Sequence, residues 1–142
     1  MVLLAGCSED SSPVERGTPI VPVSETPESV VDVDLTALSS TMVYSEVHHM
    51  LVSPEEYLGK TVKMGGTFSL YQDQETDKIY FACLIADATA CCSQGLEFVL
   101  NDEYSYPADY PEVGGEICVV GEFSTYQEGE YSYCTLKNAR LA

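Results

Sequence analysis

The sequence has few basic residues. Lysine and arginine together number 6, against 23 aspartates and glutamates, which gives a formal net charge of −17 at pH 7. A field of this sign repels the phosphates of nucleic acids and the head groups of anionic lipids. We therefore expect no nucleic acid as a partner, whereas a cation, a glycan or a protein remains compatible with the charge.

Several chemical signatures are also missing. No run of about 18 apolar residues occurs, so no segment is predicted to span a membrane. The sequence has no Gly-x-Ser-x-Gly elbow, no glycine-rich phosphate loop and no Cys-x-x-Cys motif. Because no nucleophile can be paired with a base either, we predict that the protein is not an enzyme.

The N-terminus resembles the end of a bacterial lipoprotein signal. Residues 4–7, Leu-Ala-Gly-Cys, match the lipobox, although the basic region and most of the apolar region of such a signal do not precede them. The resemblance implies that Cys7 carries a diacylglycerol and becomes the mature N-terminus. It predicts an extracytoplasmic protein that is anchored to the bacterial membrane, while the alternative is a fortuitous apolar N-terminus.

Residues 8–37 are predicted to be a disordered tether. The segment is rich in Ser, Pro, Thr, Val and Glu and contains four of the seven prolines of the chain. Proline removes backbone donors and favours extended conformations, and no helical period of apolar residues is sustained here. The tether would join the residual signal of residues 1–7 to one folded domain at residues 38–142, which is long enough to build a core.

The folded part is predicted to begin with a short amphipathic helix over residues 42–51. Apolar residues at positions i, i+4, i+7 and i+8 support this helix, namely Val43, Val47, Met50 and Leu51. The next residues, 53–56, read Ser-Pro-Glu-Glu and have the form of a capping box. We therefore expect Ser53 to cap a single helical turn that Gly59 ends.

From residue 61 onward the apolar period is that of strands. Five strands are predicted, at residues 61–71, 78–86, 96–100, 116–126 and 131–141. Gly65 and Gly66 would let the first strand coil and pair with a neighbour on each side. The core is predicted to contain the apolar faces of the first and fourth strands, with Val62, Met64, Phe68, Ile117, Val119 and Phe123. The pattern predicts a mainly β fold, a small five-stranded barrel with a short N-terminal helix.

Two stretches carry a resemblance to known proteins. They are "PEEYLGKTVKMGGTF", from residue 54, and "YPEVGGEICVVGEF", from residue 110. Both resemble the OB-fold pattern, and residues 42–142 as a whole are similar to uncharacterised bacterial lipoproteins of this type. A weaker similarity is to the soluble domain of a two-subunit permease family that has a Cys-Cys pair after its second strand. The resemblance implies an OB-fold-like barrel and no established reaction, since OB-folds host many ligands.

Beyond Cys7 the chain has five cysteines, of which four form a candidate site: Cys83, Cys91, Cys92 and Cys134. We expect one of the adjacent pair to lie near Cys83 or Cys134, because the third and fifth strands of an OB barrel are neighbours. Three roles stay open. The thiols could form a disulfide or be buried, four thiolates would suit tetrahedral zinc, or the site could be redox-active, although the usual motif is missing. Cys118 is expected to face away from its apolar neighbours.

Tyrosine is the dominant aromatic residue, with ten tyrosines against four phenylalanines and no tryptophan. Four tyrosines flank the ends of the predicted hairpins, Tyr71, Tyr126, Tyr131 and Tyr133. In an OB-fold the loops at these ends border the binding face. Tyrosine rings would stack on sugars or peptides there, although the alternative is that they merely cover the ends of the barrel.

Two functions follow from these observations. The first is a non-enzymatic binding module at the cell surface, which recognises its ligand through an acidic face lined by tyrosines. The second is a metal-handling accessory lipoprotein, in which the cysteine cluster captures zinc or a similar ion.

Overall fold

The computed structural model describes residues 30–87, 89 and 92–142. These residues form one α-helix, α1 (Ser40–Val52), and six strands: β1 (Val33–Asp34), β2 (Thr61–Gln72), β3 (Ile79–Ala86), β4 (Ser93–Leu100), β5 (Glu116–Glu128) and β6 (Tyr131–Leu141). The predicted lipobox with Cys7, most of the predicted tether and Cys91 lie outside the described residues.

Five of the strands close into a ring. Their order is β2-β3-β4-β6-β5, and β5 pairs in turn with β2. Neighbours in the ring are antiparallel except β4 and β6, which are parallel, and β1 adds to β2 in parallel. The mainly β fold with one short helix is therefore confirmed, as are the five predicted strands. β4 begins before its predicted start because Ser93, Gln94 and Gly95 also pair with β3.

β2 closes the ring because its two halves pair with different strands. Thr61–Thr67 pair with β5, and Thr67–Gln72 pair with β3. At the changeover, a Cβ on Gly66 would lie 2.3 Å from the carbonyl oxygen of Leu84, whereas a Cβ on Gly65 would have its nearest neighbour at 3.6 Å. The close approach of β2 and β3 therefore requires glycine at position 66, and Gly65 is not required in the same way.

The core lies inside the ring, where the apolar rows of the strands meet. The six residues predicted to form it are all buried: Val62, Met64, Phe68, Ile117, Val119 and Phe123. Phe98 and Leu136 join them from β4 and β6. Cys118 is only half-buried between two buried neighbours, as expected for a side chain that faces away from the core.

Helix α1 packs on this core through Val47 and Met50, which are both fully buried. The hydroxyl of Ser39 caps its N-terminus. The predicted helix over residues 42–51 is confirmed and is longer at both ends. The predicted capping box is wrong, because Ser53 serves as the C-cap of α1 and its side chain makes no capping bond to the turn that follows.

A hydrogen-bond network connects α1 to that turn. Tyr57 Oη donates to Glu46 Oε1 at 2.6 Å and lies 2.7 Å from His49 Nδ1. Since the phenol proton goes to the carboxylate, Nδ1 of His49 donates to the phenol oxygen. Lys60 adds a cation on the same ring, with Nζ 5.3 Å from the ring centre of Tyr57. These contacts fix the end of α1 to the start of β2.

The fold also includes part of the predicted tether. β1 pairs with the beginning of β2, and Leu35, immediately after β1, is only 1% exposed. Asp32 Oδ2 accepts a hydrogen bond from the backbone N–H of Thr61 at 2.8 Å. The predicted boundary at residue 38 is therefore too late, because an apolar side chain from before it is needed to complete the core.

The connection between β4 and β5 covers the core with tyrosines. The ring of Tyr110 lies 4.6 Å from that of Phe81 and 5.8 Å from that of Phe68, measured between ring centres. Tyr106 lies 5.0 Å from Phe81, and Tyr104 Oη accepts a hydrogen bond from the backbone of β6 at 3.1 Å. The tyrosines of this connection are therefore part of the packing.

Two glycine substitutions test the closure of the ring. Gly66→Ala is expected to lower the free energy of unfolding by about 1–3 kcal/mol or more, because the added methyl meets the backbone of β3. Gly65→Ala is the matched control and should be neutral or slightly stabilising, since its methyl fits and the unfolded chain loses freedom. Urea unfolding followed by circular dichroism measures both, and equal effects of the two substitutions would contradict the assigned pairing.

The role of the segment before α1 can be tested separately. Leu35→Ala should cost about 2–5 kcal/mol of unfolding free energy, the usual range for truncating a buried leucine. Val30→Ala, at a position that is 81% exposed, is the control and should change little. If chemical denaturation gave the same midpoint for both variants, Leu35 would not belong to the core.

Candidate ligand-binding groove

A groove lies between the β2–β3 and β5–β6 hairpins. Each hairpin carries a cross-strand pair of tyrosines, Tyr71 opposite Tyr80 and Tyr126 opposite Tyr133. The two pairs form opposite walls because β4 lies between β3 and β6 in the sheet. The cavity has a volume of about 460 Å³ and is lined by Tyr71, Asp73, Tyr80, Glu97, Tyr126, Glu128 and Tyr133. These residues are called the tyrosine groove below.

The tyrosine pairs make the walls of the groove aromatic. The ring centres of Tyr71 and Tyr80 are 6.3 Å apart, and those of Tyr126 and Tyr133 are 5.5 Å apart with their planes 26° from parallel. Directly opposite positions on paired strands bring side chains to this spacing. Tyr71 is 65% exposed and Tyr133 42% exposed. Both rings are therefore accessible to a ligand.

Hydrogen bonds from two tyrosine hydroxyls join the walls and floor of the groove. Tyr80 Oη donates to both oxygens of Glu128 on the opposite hairpin, at 2.7 and 2.8 Å. Tyr126 Oη donates to Glu97 Oε2 on β4 at 2.6 Å. The bond to Glu128 is the main cause that raises the pKa of Tyr80 to about 12, and burial, followed by the bond to Glu97, raises the pKa of Tyr126. Both phenols therefore remain protonated at neutral pH.

Glu97 is the carboxylate on the floor of the groove. It is half-buried on β4, between the fully buried side chains of Leu96 and Phe98. Burial raises the pKa of Glu97 above its usual range, although the hydrogen bond from Tyr126 and the charge of Lys78 act in the opposite direction. The protein therefore holds this carboxylate where its ionised form is disfavoured.

Lys78 places an ammonium group at the edge of the groove. Its Nζ lies 4.7 Å from the ring centre of Tyr80 and 5.9 Å from that of Tyr126, within the range of cation–π attraction. A second cleft, of about 340 Å³, runs from this point towards Tyr110 and shares Tyr80, Glu97 and Tyr126 with the groove. The ammonium of Lys78 thus lies where the two cavities meet.

The structure places three of the four tyrosines proposed from the sequence in the groove: Tyr71, Tyr126 and Tyr133. Tyr131 is 69% exposed and does not line it. Sequence reasoning missed five residues of the site and its edge: Asp73, Lys78, Tyr80, Glu97 and Glu128. For two of them a signal existed. Tyr80 stands opposite Tyr71 once the turn between them is placed, and Glu97 is a carboxylate inside an apolar strand.

The described cysteines are not brought together. Cys83 and Cys134 lie on the two strands that flank β4, about 9–10 Å apart by the usual strand spacing. Cys92 precedes Leu96, the partner of Cys83, by four residues, or about 13 Å of strand. A disulfide needs Cα atoms roughly 4.4–6.8 Å apart. Cys92 is therefore not the member of the adjacent pair that lies near Cys83 or Cys134. Because Cys91 lies outside the described residues, the expectation that one of the two approaches Cys83 or Cys134 stays a prediction for Cys91.

The thiol chemistry agrees with this separation. Four described cysteines are free: Cys83, Cys92, Cys118 and Cys134. Burial raises the pKa of Cys83 to about 12 and also raises the pKa of Cys134, whereas zinc binding requires the thiolate. Within residues 30–87, 89 and 92–142, no group of three or more His, Cys, Asp or Glu side chains is arranged to hold a metal ion. The described cysteines thus give the zinc interpretation no support.

The similarity of the chain to known proteins is slight. In the part of the chain that the structure describes, no helix is long and apolar enough to cross a membrane. No protein-family model and no curated protein matches the chain. Among solved structures, the chain is similar to a crystal structure from Klebsiella pneumoniae subsp. pneumoniae of a protein provisionally described as a nucleic acid-binding lipoprotein. The identity is 20%, the match covers 76% of this chain and 82% of that chain, and the TM-score is 0.40.

The raised pKa of Glu97 gives a pH-dependent prediction. Glu97→Gln is expected to raise the melting temperature at pH 7, because the amide can still accept the Tyr126 hydrogen bond and carries no charge. Since the folded-state pKa is raised, the penalty is absent below the ordinary glutamate pKa of about 4.3 and develops as the pH rises through the raised value. Thermal unfolding at pH 7 and at about pH 3.5 should therefore show a gain only at the higher pH.

The control for this experiment is Glu130→Gln, which removes the same charge from an exposed position. It separates the local effect of Glu97 from the general relief of repulsion in a chain of net charge −17. An equal gain in melting temperature from both substitutions would show that the position of Glu97 has no special cost.

Proposed function

We propose that the protein is a non-enzymatic binding module and that the tyrosine groove is its ligand site. As the N-terminal resemblance implies, a lipid on Cys7 would hold the module to the bacterial membrane outside the cytoplasm. The observation that carries the proposal is the convergence of four tyrosines and three carboxylates between two hairpins.

The dimensions and composition of the groove support this function. Its volume of about 460 Å³ lies within the range of roughly 300–1,000 Å³ that is usual for ligand sites. Tyrosine combines an apolar ring with a polar tip and is a frequent contact residue in binding sites. Tyr71 and Tyr133 are exposed and add little to the core, so packing alone does not account for them.

We infer in addition that the ring of strands is an OB-fold. Five strands in a closed order, with β4 and β6 parallel, support this assignment. OB-folds bind oligonucleotides and oligosaccharides on a sheet face bordered by hairpin loops. The tyrosine groove has the corresponding position, because its walls are the two hairpins and its floor is β4.

The chemistry of the groove favours binding over catalysis. Its two engaged phenols, Tyr80 and Tyr126, donate to carboxylates and have raised pKa values. A phenol in this state is a poor nucleophile and a poor base at neutral pH. Glu97 and Glu128 are in turn occupied as hydrogen-bond acceptors. The arrangement therefore fixes the walls of a site and supplies no activated nucleophile.

Charge decides between the classes of ligand. The solved structure from Klebsiella belongs to a protein provisionally described as binding nucleic acid, but the carboxylates of this groove would repel phosphates. The acidic lining is compatible with three classes of ligand, which are a cation, a glycan or a protein segment. The metal-handling alternative has no support from the contacts of the described cysteines.

An NMR titration tests the proposed site. We expect a tetralysine peptide or chitotetraose, added at millimolar concentration to the isotope-labelled full chain, to shift the backbone amides of the groove. Tyr133→Ala should abolish the shifts because it removes one accessible wall. The control is Tyr131→Ala, an exposed tyrosine of the same strand that lies outside the groove. The proposal fails if neither probe moves the groove amides, or if both variants respond alike.

A further inference from the structure

One cation of the chain itself already lies at the edge of the tyrosine groove. The ammonium of Lys78 lies over the rings of Tyr80 and Tyr126, at 4.7 and 5.9 Å from their centres. Its charge acts on Glu97 of β4, and both residues line the second cleft. A primary ammonium is therefore a group that this combination of aromatic rings and carboxylates accommodates.

The charge of the groove exceeds what Lys78 balances. The lining contributes three carboxylates, Asp73, Glu97 and Glu128. Charge complementarity thus favours a ligand that brings further positive charge. The net charge of −17 on the whole chain would also steer such a ligand towards the protein and slow the approach of anions.

The geometry points to a ligand with primary ammonium groups, namely a lysine-rich segment of a partner protein, whose lysine takes the place of Lys78 over Tyr80 and Tyr126. This inference rests on the proposed function of the groove. Lys78 is then a resident occupant that the ligand displaces.

Displacement of Lys78 is structurally simple. The residue is exposed and stands immediately before β3, at the end of the turn that joins the two strands of its hairpin. Its ammonium can move into water while the backbone stays in place. The second cleft, lined in part by Ile79, Val99 and Tyr110, offers apolar surface to the methylene stem of an incoming lysine.

The hydrogen bonds of the groove favour this ligand over a sugar. The hydroxyls of Tyr80 and Tyr126 donate hydrogen bonds to carboxylates. Neither hydroxyl is therefore free to donate to a sugar oxygen. A sugar would have to break these bonds, whereas an ammonium can contact the ring faces and the remaining carboxylate lone pairs without doing so.

Calorimetric titration of the full chain with tetralysine tests the inference. Lys78→Gln should lower the dissociation constant for tetralysine by about 3- to 10-fold, because the site no longer has to release its own cation. Glu128→Gln should raise it, since one of the carboxylates is lost. An unchanged or weaker affinity of the Lys78→Gln variant for tetralysine would overturn the inference.

Lys60→Gln is the matched control. It removes the same charge and also a cation–π contact, that of Lys60 with Tyr57, which lies outside the groove. Its effect on the dissociation constant should be less than about twofold, since only the general field changes. If Lys60→Gln strengthened binding as much as Lys78→Gln, the effect would come from net charge and the displacement of Lys78 would be disproved.

Other probes separate this inference from the proposed function. If chitotetraose shifts the groove amides and tetralysine does not, the groove is a ligand site but the ammonium inference is wrong. Binding of a decathymidylate at the groove, weakened by Lys78→Gln, would mean that Lys78 recognises an anion and would likewise overturn it. If no probe perturbs the groove, both proposals fail together.

Discussion

The structure depends on the close approach of β2 and β3 at Gly66. Any side chain there would meet the backbone of Leu84, and β2 could then not pair with both β3 and β5. An open sheet would leave two unpaired edges and expose the aromatic core. Closure also fixes the β2–β3 hairpin relative to the β5–β6 hairpin, so the groove between them is a consequence of the same contact.

Alternation along strands explains how much of the fold could be predicted from the sequence. Side chains along a strand point to opposite faces in turn. The apolar residues Val62, Met64 and Phe68 share one face of β2, so the sequence alone predicts that this face is buried. The same reasoning missed Leu35, because β1 has only two residues and shows no period. The role of Ser53 was predicted wrongly because α1 ends and the next helical turn begins at this residue. Its backbone N–H serves the end of α1, and its side chain does not cap the turn.

The site was less predictable because it depends on strand order. Tyr71 and Tyr133 were recognisable from their positions beside turns, but Glu97 obtains its partner, Tyr126, from a strand that is two places away in the sheet. The cysteines illustrate the same difficulty. The spacing of the cysteines in the sequence does not show which residues lie opposite each other on paired strands. In the ring, β4 lies between the strands of Cys83 and Cys134. Long-range pairing, which no local pattern contains, decided both outcomes.

The alternation of core and groove residues has an evolutionary consequence. Glu97 on the floor is flanked along β4 by Leu96 and Phe98, which hold the core. Exchanging the outward side chains therefore leaves the inward packing intact. One backbone could thus acquire new ligand preferences through few substitutions, each nearly neutral for folding. The ring is in this sense a scaffold whose recognition surface can diverge, or be redesigned, independently of its stability.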